Sequence, residues 1–172
     1  MPRNLALLAV AALVFGCASN MSATAPGATA QLAPTAGNSA KGTVTFTQRG
    51  NDVVMVARLT GVPPGKHGFH IHEKGDCSAP DGMSAGGHFN PSGKPHGDPA
   101  GMEHHAGDMP MLEADASGNA MLEATLNGVS IGQGANDIVG RSVIVHKDAD
   151  DYKTQPTGNS GARIACGVIA RS

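Results

Sequence analysis

Between residues 41 and 172 the apolar residues alternate or cluster only in short runs, at 43–47, 53–59, 66–72, 120–126, 142–146 and 163–170, and none holds a convincing helical period. Val, Ile and Thr recur in these runs, and Gly, Pro, Asn and Asp divide them. β-Branched side chains pack well on a pleated surface, while those turn residues supply the angles that reverse a chain. The pattern predicts an all-β domain over residues 41–172. Gln48-Arg49-Gly50-Asn51-Asp52 marks a hairpin between the first two runs, and Val62-Pro63-Pro64-Gly65 and Ala116-Ser117-Gly118-Asn119 mark later turns. With no Trp, one Tyr and four Phe, the core must come from Val, Ile, Leu, Met and Ala, so reinforcement by a disulfide or a metal is expected.

The N-terminal segment predicts export. Residues 5–15 are an unbroken run of Leu, Ala, Val and Phe behind the single charge of Arg3, which reads as a signal-peptide core and is too short to span a bilayer. Leu13-Val14-Phe15-Gly16-Cys17 resembles a bacterial lipoprotein processing site. Residues 1–16 are then the signal peptide, with Cys17 the lipidated first residue of a membrane-anchored, flexible linker over 17–40. Ala18 rather than Asp after Cys17 points to the outer membrane and a periplasmic domain. With Cys17 lipidated, Cys77 and Cys166 remain as an even pair in an exported chain, which predicts a disulfide; two free thiols are the alternative. A net charge of −2 without a basic tract argues against nucleic acid as a partner.

The eight histidines all fall between residues 67 and 146. In a strand, His70 and His72 share a face while Phe69 and Ile71 take the other, which makes half of a metal site. His146 closes the run Val143-Ile144-Val145, and with His88 it completes a four-nitrogen set of the type that suits Cu(II). The segment from 72 to 109 is a long polar loop holding a second set: His88, His96, His105 and Asp108 form a donor group acceptable to tetrahedral zinc, with His104 and His105 interchangeable. A zinc-only hydrolase lacks a general base, because Glu73 alternates away from His72.

Five segments in order carry a closer resemblance: His67-Gly68-Phe69-His70-Ile71-His72-Glu73, Gly86-Gly87-His88-Phe89-Asn90-Pro91, His105-Ala106-Gly107-Asp108, Gly140-Arg141-Ser142-Val143-Ile144-Val145-His146, and the stretch from Gly158 through Arg163 and Cys166 to Ile169. From residue 65 onward the chain resembles the copper/zinc superoxide dismutases. The resemblance implies an eight-stranded Greek-key β-barrel with long metal-binding and channel loops. It implies one copper on His70, His72, His88 and His146, and one zinc on His88, His96, His105 and Asp108, with His88 shared and acting as ligand and acid. Asp150 would join a copper ligand to a zinc ligand, Arg163 would dock superoxide beside the copper, and His67 would be structural. A homodimer is expected by the same likeness. A copper carrier or buffer without turnover is the alternative, although such a module would be expected to lose Arg163 or the zinc set.

Overall fold

The computed structural model describes residues 1, 25 and 27–172; Cys17 and nearly all of the expected signal peptide lie outside the described residues. The strands are β1 (Gly27–Pro34), β2 (Lys41–Arg49), β3 (Asp52–Thr60), β4 (Gly65–His67), β5 (Phe69–His72), β6 (Leu112–Ala114), β7 (Ala120–Leu126), β8 (Ser142–His146) and β9 (Arg163–Arg171). All strand pairings are antiparallel, in the order β4-β6-β7-β3-β2-β1-β9-β8-β5. β4 and β5 are two halves of one strand interrupted at Gly68. One half pairs with β6 and the other with β8, so this strand joins both edges of the sheet into an eight-stranded barrel. The connections at 61–64 and 127–141 each pass two strands, giving the Greek-key topology.

Alternation along each strand fills the interior. Val44 and Phe46 on β2, Val53, Met55 and Ala57 on β3, Phe69 and Ile71 on β5, and Val143 and Val145 on β8 belong to one buried cluster. Outward positions on β2 carry Thr43, Thr45 and Thr47. Truncating a central residue such as Phe46 to Ala would cost about 3–5 kcal/mol by the usual cavity penalty.

The structure corrects the linker boundary. Residues 27–34, expected to belong to a flexible tether, form β1, paired with β2 on one side and β9 on the other. Ala28, Ala30 and Leu32 point inward and are buried, while Thr29 and Gln31 face out. Composition hid the strand because its inward residues are mostly Ala, which resembles a tether yet fits a closely packed interior. The barrel domain therefore begins by Gly27 rather than at Lys41.

Candidate metal centre

Two long connections, residues 73–111 between β5 and β6 and residues 147–162 between β8 and β9, supply most of the side chains around β5. The first lies against β5 through backbone bonds: Ile71 N donates to Gly107 O at 2.9 Å, Phe89 N to Ile71 O at 2.8 Å and Gly107 N to Phe89 O at 2.8 Å. A Cβ on Gly107 would stand 2.3 Å from Ile71 O, so this approach requires glycine. The docked loop sets His88 beside His72 and Asp108 beside His70.

His70, His72, His88 and His146 bring one nitrogen each into a single buried cluster. His146 sits at a register shift in β8 after Val145, an irregularity that re-aims its ring, and it faces Arg163 across the β8–β9 ladder. Three of the rings have an outer nitrogen tied. His70 Nε2 donates to Asp150 at 2.6 Å, His72 Nδ1 to Gly86 O at 2.9 Å, and His146 Nδ1 to Gly161 O at 3.2 Å. A neutral imidazole has one N–H, so these bonds leave a bare lone pair on each inner nitrogen. His72 Nε2 and His146 Nε2 stand 3.3 Å apart, and His70 Nδ1 and His88 Nε2 are buried with no hydrogen-bond partner. Converging lone pairs in a buried space repel one another and fit a cation; an all-imidazole set suits copper.

His88, His96, His105 and Asp108 form the second cluster. Asp108 Oδ1 lies 2.9, 3.0 and 3.5 Å from the Nδ1 atoms of His88, His96 and His105, and His105 Nδ1 is 3.4 Å from His88 Nδ1. A tetrahedral zinc with bonds near 2.0–2.1 Å has ligand–ligand edges of about 3.3 Å, so the donor set matches that ion in spacing and chemistry. His88 belongs to both clusters, Nδ1 in one and unpartnered Nε2 in the other. His104 lies outside them, with its Nδ1 on the His105 carbonyl.

Two carboxylates organise the rings. Asp150 contacts His70 through Oδ2 at 2.6 Å and His96 through Oδ1 at 3.0 Å, which joins the clusters. Gly158, in the same loop, lets the chain close on this carboxylate, since its φ is +66° and a Cβ there would stand 1.8 Å from Asp150 Oδ1. Burial raises the affinity of Asp108 for a proton, but hydrogen bonds from His105, His88 and His96 outweigh burial and hold it far below the usual carboxylate range. Asp150 is held low in the same way by His70 and His96. Burial, with repulsion from neighbouring rings, lowers His88 to about 4 and His146 to about 3. His96 is raised to about 9, because its bonds to Asp108 and Asp150 overcome burial.

Arg163 is half-buried and donates Nη1 to Gly82 O at 2.7 Å and Nη2 to Gly86 O at 2.6 Å. It lines a 540 Å³ cleft with His146, Thr157, Asp81, Met83 and Pro80. Cys77 and Cys166 form a disulfide, Cα–Cα 5.8 Å, that fastens the loop carrying Gly82 and Gly86 to the strand carrying Arg163. His67 is placed inside the barrel, its ring between the carbonyls of His146 and Pro63.

Sequence reasoning missed Thr35 and Gln155. Thr35 Oγ1 donates to Arg163 O at 2.7 Å from the segment expected to be linker. Gln155 holds the backbone of His96. Neither residue type signals such a role, since both act on main-chain atoms brought close only by the fold.

Residues 40–169 match the family described as copper/zinc superoxide dismutase. The extracellular superoxide dismutase [Cu-Zn] of Brugia pahangi is 40% identical over 141 residues, 76% of this chain and 69% of the relative. That of Caenorhabditis elegans is 41% identical over 135 residues, 74% of this chain and 60% of the relative. A crystal structure of the clock protein EA4 superposes with a TM-score of 0.77 at 38% identity, covering 86% of this chain and 96% of that one. With two buried donor clusters joined at one imidazole and this extent of match, the chain belongs to the copper/zinc superoxide dismutase family.

Proposed function

We propose that the chain converts two superoxide ions and two protons into dioxygen and hydrogen peroxide, with one copper held by His70, His72, His88 and His146 and one zinc held by His88, His96, His105 and Asp108. The observation that carries this is His88, whose two ring nitrogens face two different buried donor clusters. Bound copper supplies the one-electron chemistry, and bound zinc supplies a redox-silent charge.

The protein's own contribution follows from its side chains. Arg163 spends two N–H groups on the carbonyls of Gly82 and Gly86, leaving the rest of a five-donor fork for a small anion in the cleft beside His146. The substrate is thereby neutralised and oriented before it reaches the imidazoles. His88 Nε2 is the atom that takes up a proton between the two half-reactions and delivers it to the departing peroxide. Asp108 would hold the zinc beside Nδ1 of the same ring, and Asp150 fixes the tautomers of His70 and His96.

The deciding experiment compares metal content and dismutation rate in the parent and His88→Ala. The parent is expected to hold both metals and turn over, and H88A to lose activity with its shared donor. Parent-level turnover in H88A sinks the shared-imidazole mechanism, and a fully loaded parent without turnover supports the copper-carrier alternative.

The same proposal places the mature chain in the periplasm, anchored to the outer membrane through Cys17. The apolar run 5–15 and Gly16-Cys17 support this, and the word extracellular in the names of the two relatives supports export alone. Detergent-phase partitioning of the expressed full chain, lost in Cys17→Ser, is the expected result; a parent chain found only in the aqueous phase overturns the anchor. A homodimer belongs to the same proposal, and sedimentation of the mature domain decides it.

A further inference from the structure

His96 is carried on the irregular segment 89–111, and its own main chain makes no bond to β5 or to the Gly107 approach, although its ring reaches Asp108. A ring placed there is only as well aimed as the backbone that carries it. Both main-chain groups of His96 are nevertheless paired, and one side chain does both: His96 N donates to Gln155 Oε1 at 2.9 Å, and Gln155 Nε2 donates to His96 O at 2.8 Å. A carboxamide paired with a peptide in this way fixes orientation as well as distance, because donor and acceptor must both align.

The turn presenting Gln155 is itself prepared. Asp151 Oδ1 accepts from Lys153 N at 2.9 Å and Thr154 N at 2.8 Å, and its Oδ2 accepts from Thr154 Oγ1 at 2.6 Å. Tyr152 N donates to Asp150 Oδ1 at 2.7 Å within the loop, and its hydroxyl accepts from Met111 N at 3.0 Å, which ties the turn to the metal loop at Tyr152 as Gln155 ties it at His96.

The geometry points to Gln155 as a positioning residue for the second metal: by gripping the His96 peptide on both sides it holds the imidazole with Nδ1 toward Asp108 and Nε2 toward Asp150. This rests on reading that cluster as the zinc site. It also gives the 147–162 loop a task besides shaping the cleft, namely setting zinc affinity through a backbone clamp.

The test measures zinc and copper affinities of the mature chain by chelator competition for the parent, Gln155→Met and Gln155→Ala. Met keeps the length and bulk of Gln and removes both hydrogen bonds, so a space-filling role would survive in Q155M. Zinc affinity is expected to fall about tenfold in both variants, the lower end of what loss of an outer partner costs, with copper affinity within twofold of the parent. Cobalt(II) at the same cluster should show shifted ligand-field absorption in Q155M. Zinc affinity within twofold of the parent in Q155M, or an equal loss for both metals, overturns the inference. A parent chain that takes up no zinc overturns instead the reading on which it rests.

Discussion

At the scale of single residues, the centre is made by deciding which nitrogen of each imidazole keeps its proton. His72 and His146 give theirs to backbone carbonyls and His70 gives its to Asp150, so the opposite nitrogens face inward bare. Under the proposed function, Arg163 is the corresponding decision for substrate. Its carbonyl partners on Gly82 and Gly86 hold the guanidinium at the cleft, and Gly86 O also accepts from His72 Nδ1, so one carbonyl sets the position of a cluster imidazole and of the guanidinium. Charge-assisted hydrogen bonds contribute roughly 1.5–3 kcal/mol, so Arg163→Ala should lower kcat/KM about ten- to a hundredfold at equal metal content. Stopped-flow decay of superoxide across a series of ionic strengths checks this. The parent rate should fall as salt rises and the variant's should depend on salt less; a variant within twofold of the parent removes the assigned role.

At the scale of elements, what the sequence revealed depended on side-chain contrast. β2, β3, β7, β8 and β9 stand where alternation or β-branched runs place them, and the run at 66–72 became β4 and β5 around Gly68. The pair His70 and His72, on the face of β5 opposite the core residues Phe69 and Ile71, was legible for the same reason, since a period of two lets the identity of one face be read directly. β1 was not legible because Ala is its main inward residue, and β6 because a three-residue strand carries too little pattern. The donor residues of the loops could be named from their types and from family resemblance, but their supports could not. Gln155, Thr35 and the carbonyls of Gly82 and Gly86 act through main-chain contacts between segments distant in sequence. The disulfide belongs to this level as well. It closes a sequence separation of 89 residues, which in the chain-entropy account is worth about 4.6 kcal/mol, and it also fixes the loop whose carbonyls aim Arg163.

For the whole molecule, a barrel that buries this many imidazoles ties its stability to pH whenever the metals are absent. His88 and His146 have folded values near 4 and 3 against an ordinary 6.5, and burial lowers His70 and His72 as well. Between those values and 6.5 the unfolded chain binds protons that the folded chain refuses, so the slope of stability against pH is positive there. His96 has the opposite sign. Raised to about 9, it contributes fully below 6.5 and its contribution is lost only as pH rises through 9, so it cannot offset the acid loss. The metal-free domain should therefore be most stable near neutrality, and its thermal midpoint should drop as pH falls from 7 to 5. Calorimetry of chelator-treated protein over that range tests the sign, and a midpoint that stays level or rises on acidification contradicts it. Restoring zinc and copper at each pH should raise the midpoint, and by less as acid protonates the ligands, because both metals bind only the deprotonated donors.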